Sequence, residues 1–249
     1  MPELLLINPN TTSSMTDKMH LAAEPLLPAD SHLKSLTSAY GPPSIEGYYD
    51  EVFSVPPLLE LIRQHSVDCD AVIIACFDDT GVEAARCISQ VPVIGICQAA
   101  CQLASILASS FSIVTTLSRS VTELERRVLN YGFERQCKRV RATDIPVLEL
   151  EQCNPDTLQK LYHQCELALE QDGSEAIVLG CAGMVELQQD LQQRYGVPVI
   201  EGVTAAVSIM DGLARLPLAT SRIRSYAQPA EKTYLGDFKP YSPVDKTGE

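Results

Sequence analysis

No apolar run in this 249-residue chain approaches the ~18 residues that a membrane-crossing helix needs. The stretch Leu4-Leu5-Leu6-Ile7 near the N-terminus is too short for the hydrophobic region of a secretory signal, and no basic segment precedes it. Basic residues are scarce. Nineteen Lys+Arg against 32 Asp+Glu leave a net charge of −13, and no local basic patch offsets it, so neither nucleic acid nor a membrane is an expected partner. Paired cysteine spacing is missing as well. Nine cysteines, an odd number without any Cys-x-x-Cys, argue against a disulfide framework and for a reducing compartment. The four histidines (His20, His32, His65, His163) are dispersed, and none lies near the i, i+4 pair Cys97/Cys101, so no structural metal is expected. These absences lead to the expectation of a cytoplasmic protein acting on a small molecule.

What is present is globular composition, with 45% hydrophobic and 20% charged residues. Length alone allows one large α/β domain or two of about 120 residues. Continuous apolar runs at Leu4–Ile7, Ala71–Ala75, Val93–Ile96, Phe111–Thr115, Ala176–Leu179 and Val197–Ile200 read as strands covered by helices on both faces. Thr80-Gly81-Val82-Glu83 and Ser120-Val121-Thr122-Glu123 fit a capping box, Asn154-Pro155 reads as a cap before proline, and Gly132 and Gly173 stand where helices stop. From Pro217 onward the chain reads as an extended arm with a mobile end.

An internal repeat organises these elements. Asp70-Ala71-Val72-Ile73-Ile74-Ala75-Cys76 matches Glu175-Ala176-Ile177-Val178-Leu179-Gly180-Cys181, and Val91-Pro92-Val93-Ile94-Gly95 matches Val197-Pro198-Val199-Ile200-Glu201. Upstream, Ile7-Asn8-Pro9-Asn10-Thr11-Thr12 and Val114-Thr115-Thr116-Leu117-Ser118 each end a strand in small polar residues. Three coincidences in one order imply an α/β fold of two pseudo-symmetric halves, each a mainly parallel sheet flanked by helices, with the active site in the cleft between them. The first half takes residues 1–97 plus about 205–249, and the second takes 98–204.

Each half places a cysteine, Cys76 or Cys181, at the carboxyl end of a buried strand, where open α/β sheets bind ligands. A helix start capped at Thr80, and another near Gly183, are expected to lower the thiol pKa. Two acid/base groups facing each other across a cleft suit stereoinversion: one takes a proton from carbon, and the other returns one to the opposite face. Asn8, Thr115 and Thr116, with the backbone near Asp78–Gly81 and Ala182–Gly183, are candidate donors to the resulting enolate.

Ile7-Asn8-Pro9-Asn10-Thr11-Thr12, Gly41-Pro42-Pro43-Ser44-Ile45-Glu46-Gly47, Cys76-Phe77-Asp78-Asp79 and Gly180-Cys181-Ala182-Gly183-Met184 resemble the Asp/Glu/hydantoin racemase superfamily, in its hydantoin and allantoin racemase branch. The resemblance runs from Leu4 to about Tyr234. It implies a cofactor-independent two-base racemase with Cys76 and Cys181 as bases and a 5-substituted hydantoin ring between them. The implied ring contacts are Asn8, Ser44, Asp78, Thr80, Thr115 or Thr116, and Gly183. Phe77, Tyr40 and Ile45 are the candidates to line the 5-substituent pocket.

Blander readings stand beside these. A cysteine after a buried strand is ordinarily a small core residue, which is the reading for Cys69, Cys87, Cys97, Cys101, Cys137, Cys153 and Cys165. Asp78 and Asp79 suit either a substrate role or a helix-dipole role, Asn10 reads as a turn residue, and Arg126-Arg127 reads as a solvated helix face. Racemisation of free aspartate or glutamate would need a charged set that is not evident, and a cysteine hydrolase would need a histidine in the motif. A two-lobed binding protein is the remaining alternative. The arm supports an expectation of a homo-oligomer.

Overall fold

The computed structural model describes residues 1–150 and 154–243. Cys153 and the mobile end expected beyond Pro243 lie outside the described residues. Two four-stranded, all-parallel sheets carry the fold. The first contains β1 (Glu3–Asn8), β2 (His32–Thr37), β3 (Ala71–Ile74) and β4 (Val93–Gly95) in the order β2-β1-β3-β4. The second contains β5 (Phe111–Thr115), β6 (Cys137–Ala142), β7 (Ala176–Gly180) and β8 (Val199–Glu201) in the equivalent order β6-β5-β7-β8. The repeat survives at the level of single residues. Ile74 pairs with Gly95 on one side and Ile7 on the other; Leu179 pairs with Glu201 and Val114. Each of these central residues stands two positions before its cysteine.

All six strands expected from continuous apolar runs form. Leu4, Leu6 and Ile73 face a large core shared by both sheets, while Leu5, Ile7, Val72 and Ile74 face a smaller one. Two strands lacked such a run. β2 and β6 are sheet edges whose Lys34, Lys138 and Arg139 are exposed, so their hydrophobicity is interrupted.

The helices are α1 (Ser13–Ala23), α2 (Tyr48–His65), α3 (Val82–Ile88), α4 (Ile96–Leu107), α5 (Ser118–Asn130), α6 (Val147–Leu150), α7 (Pro155–Glu170), α8 (Gln188–Tyr195) and α9 (Gly202–Ala214). Asn154 caps α7 as expected, its Oδ1 accepting the Thr157 N–H at 2.9 Å, and Gly132 and Gly173 follow helix ends at positive φ. The other two caps differ. α3 starts after Gly81 (φ +76) rather than Thr80, and Ser120 lies inside α5. Asp144, from the segment after β6, caps α5 by accepting the Ser118 N–H at 2.9 Å and its hydroxyl at 2.7 Å.

α4 and α9 follow the last strand of each sheet and interlock the halves. They pack on one another; α4 also packs on β7 and β8, and α9 packs on β3 and β1. The divisions expected at 97/98 and 204/205 fall in the first turns of these helices. The register relates Ile96 to Gly202, and these two residues touch, which puts the pseudo-two-fold axis between them. A Cβ on Gly202 would stand 2.5 Å from the Ile96 carbonyl oxygen and 2.8 Å from its Cβ. Two side chains do not fit there. The arm beyond α9 lies on its own first half: Arg222 donates to the Arg86 carbonyl at 3.1 Å, Arg86 stacks on Tyr226, and Arg63 donates to the Pro240 carbonyl at 3.0 Å.

Gly202→Ala should therefore destabilise the protein by about 1–3 kcal/mol in urea denaturation, because backbone must move to admit the methyl group. Gly212→Ala, in the same helix with open space around it, should be neutral or stabilising by up to ~1 kcal/mol. Equal effects at both positions would contradict the close approach at the axis.

Candidate active site

Both cysteines open onto one cleft. Cys76 follows β3 and Cys181 follows β7, so the parallel sheets deliver both thiols from strand carboxyl ends. Gly180 permits this on the second side. A Cβ there would stand 2.8 Å from the Thr115 Cβ, and Thr115 instead donates its hydroxyl to the Gly180 carbonyl at 2.9 Å. Each sulfur receives a backbone N–H from two residues onward: Gly183 donates to Cys181 Sγ at 3.4 Å, and Asp78 donates to Cys76 Sγ. The second thiol sits at the start of a 3-10 turn, Ala182–Leu187.

The first thiol has no helix start at its back, since α3 begins six residues later. The expected lowering of its pKa is not found; burial, reinforced by the Asp78 carboxylate, pushes the Cys76 thiol up. Thr80, displaced from its expected capping role, sets its hydroxyl 3.6 Å from the sulfur and acts in the opposite sense, as does the Asp78 N–H. Asp78 is itself pushed up to about 7 by burial and then by Glu51, Glu123 and Asp79, with Arg127 opposing. The Arg127 guanidinium is not on a solvated face. It reaches Glu123 at 3.0 Å and Glu83 at 3.1 Å, joining α5 to α3, while Arg126 is exposed as expected.

Of the residues singled out in the sequence, Cys76, Phe77, Asp78, Thr115, Thr116, Cys181 and Ala182 line the cleft, together with Ile45. Asn8, Ser44, Asp79, Thr80 and Gly183 stand behind its wall. Asn8 donates to Asn10 Oδ1 at 2.9 Å and to Thr16 at 3.1 Å, and it is Asn10, read as a turn residue, that reaches the cleft. Ser44 donates to Glu46, whose Oε1 also accepts the Val147 N–H at 2.9 Å, fastening the Gly41–Gly47 loop of one half to the other. Tyr40 points away and bonds Glu60 at 2.7 Å and Tyr241. Met15, Ser120 and Val147 line the cleft without having been anticipated. Ser120 would have been legible had α5 been started at Ser118. Met15 and Val147 carry no local signal.

Asp79 is wholly buried at φ +50, a conformation that Asp tolerates better than most residues. Its carboxylate accepts the N–H groups of Cys97 and Gln98, both at 2.9 Å, and the Tyr131 hydroxyl at 2.7 Å. It thus caps α4. Burial raises it to about 6, and these three donors oppose the rise. Among the described residues, no three His, Cys, Asp or Glu side chains converge as a metal site, and no helix is long and apolar enough to cross a membrane.

Two outcomes follow from these charges. Asp78→Asn should lower the pH midpoint for alkylation of Cys76 by iodoacetamide, by roughly one unit, because the anion that disfavours the thiolate is gone. An unmoved midpoint would leave burial as the sole cause. Asp78 also titrates near 7 when folded against an ordinary value of 3.8, so the folded state holds a proton that the unfolded chain has released. Stability contributed by that proton is full below about pH 3.8 and is lost as pH rises through about 7. Urea midpoints should fall with pH across this window, and fall less steeply in Asp78→Asn.

Comparison with known proteins agrees with this fold. The family model described as Asp/Glu/Hydantoin racemase matches residues 4–210. A hydantoin racemase of Rhizobium meliloti is 48% identical over 232 residues, covering 93% of this chain and 96% of that one. The structure of an allantoin racemase from Klebsiella pneumoniae superposes with a TM-score of 0.93 at 40% identity, over 98% of this chain and 100% of that one. An allantoin racemase from Pseudomonas fluorescens gives 0.90 at 37% identity, over 94% and 100%. With the two-sheet fold and nearly full-length similarity in agreement, the chain belongs to the Asp/Glu/hydantoin racemase family and is an isomerase.

Proposed function

We propose that this enzyme is a cofactor-independent racemase of 5-substituted hydantoins, with Cys76 and Cys181 as its two acid/base groups. The observation that carries the reading is their equivalence: both stand two residues beyond matched register positions and open onto one cleft. The cleft lies between a first half of residues 1–97 plus about 205–249 and a second half of 98–204. The C5–H of a hydantoin adjoins a ring carbonyl, so its removal leaves a delocalised enolate. One cysteine enters as thiolate and removes that proton; the other enters as thiol and delivers its own to the opposite face. The roles exchange with the hand of the substrate.

A neutral ring suits this cleft. Among the described residues no Lys, Arg or His lines it, so an α-carboxylate would find no cation there and a nucleophilic thiolate no histidine. Asn10, Thr116 and Ser120 offer amide and hydroxyl groups to the ring edge. Thr115, whose hydroxyl proton is engaged by Gly180, shapes the strand end instead. Thr80 and the Asp78 and Gly183 N–H groups stabilise the thiolates, while Asn8 and Ser44 hold the loops carrying Asn10 and Ile45. Met15, Ile45, Phe77 and Val147 supply apolar surface for the 5-substituent, which favours alkyl and arylalkyl groups over the ureido group of allantoin.

Cys76→Ser and Cys181→Ser, made separately, should each abolish racemisation by at least about 10²-fold. Deuterium exchange at C5 should then be lost for one enantiomer in one variant and for the other enantiomer in the second. Racemisation at the wild-type rate in either variant would end the two-base scheme. Polarimetry of benzyl- and isopropyl-hydantoin should show decay of rotation; decay with allantoin alone would overturn the assignment of the apolar surface.

A further inference from the structure

The two halves cap equivalent helices by different means. In the second half Glu201, the residue before α9, caps its own helix: its carboxylate accepts the N–H of Val203 at 2.7 Å and of Thr204 at 2.6 Å. The corresponding residue before α4 is Gly95, with nearly the same backbone conformation (φ −96, ψ 155 against φ −110, ψ 152). Its capping carboxylate is that of Asp79, which serves the equivalent N–H groups of Cys97 and Gln98. The two devices exclude each other, because a Cβ on Gly95 would lie 2.1 Å from Asp79 Oδ1. Asp79 stands three residues after Cys76; three residues after Cys181 stands Met184, apolar and fully buried.

The cap of α4 is therefore also an anchor for the turn that carries the first thiol. Asp79 closes that turn, donating its N–H to the Cys76 carbonyl at 3.0 Å. Its carboxylate fixes the turn to the start of α4, and the Tyr131 hydroxyl fixes it to α5, the helix that brings Ser120 to the cleft. At the second thiol the 3-10 turn packs chiefly on α1 and carries no buried acid of its own.

Resting on the two-base reading above, we propose that Asp79, held by Tyr131, is a positioning residue for Cys76 alone, its place after Cys181 being taken by Met184. The enzyme's two proton abstractions then depend unequally on this one carboxylate. A purely structural cap would affect both equally.

The double variant Asp79→Gly/Gly95→Glu separates the two roles. It transplants the second half's device: glycine accepts φ +50, and the space vacated by Asp79 admits a glutamate placed like Glu201. The single variant Asp79→Gly should lose thermal stability, and the double variant should recover it to within a few degrees. C5 deuterium exchange is then followed with each enantiomer of 5-benzylhydantoin, the two Cys→Ser variants having assigned each exchange to its thiol. In the double variant, kcat for Cys76-dependent exchange should stay roughly ten- to hundredfold down with KM little changed, while Cys181-dependent exchange stays within about twofold of wild type. Tyr131→Phe, which leaves the cap in place, should show the same asymmetry to a smaller degree without a loss of melting temperature. Full recovery of both exchanges in the double variant, or an equal loss of both, would overturn the proposal. If the wild type exchanges neither enantiomer, the functional reading falls instead. Alkylation then decides the positioning: its pH profile should move for Cys76 and not for Cys181 in the double variant.

Discussion

Everything in this molecule is hung on the place where the first turns of α4 and α9 meet. Residues related by a two-fold axis can touch only on that axis, and Ile96 touches Gly202 there. The contact is so close that one side must give up its side chain, which fixes how far apart the two sheets stand. Because each helix also packs on strands of the opposite sheet, the large core belongs to both halves at once. The separation of the strand carboxyl ends, and hence the width of the cleft, is set by backbone packing rather than by a flexible linker.

Within that frame the chemistry is governed by dehydration more than by charge pairing. An acidic chain sets Asp78 and Glu51 against one thiol, crowds Asp78 in turn with Glu51, Glu123 and Asp79, and answers them with Arg127. Burial then holds protons on groups that would lose them in water. Such a cleft disfavours any anion that is not locally supplied with N–H donors.

The sequence was informative where a residue's surroundings are created by its own neighbours. Strands buried on both faces read as continuous apolar runs, and the strand-end cysteines stood out because a repeat placed them twice. β2 and β6 were hidden because exposed charged residues interrupt their apolar runs. The caps supplied by Asp79 and Asp144 were hidden for another reason: the acceptor comes from a distant segment, so a local Ser/Thr-to-Glu pattern selects the wrong side chain. Thr80 and Ser120 were both misplaced in this way, one turning to the Cys76 sulfur and the other to the cleft. Asn8 and Asn10 flank the same proline, and only the hydrogen bonds that Asn8 makes inward distinguish them. Arg127 differs from Arg126 by which half of the molecule it faces.

The exchange of Asp79 with Gly95 for Met184 with Glu201 also limits how alike the two halves can become. Two identical copies would have capped both helices alike. A glutamate arriving at position 95 collides with the resident aspartate, and loss of that aspartate first leaves a buried helix start bare. Each intermediate is penalised, so the halves cannot drift back into likeness one codon at a time. Chimeras of this protein with a relative that cross over between positions 79 and 95 will fold well only when both partners of the pair come from the same parent.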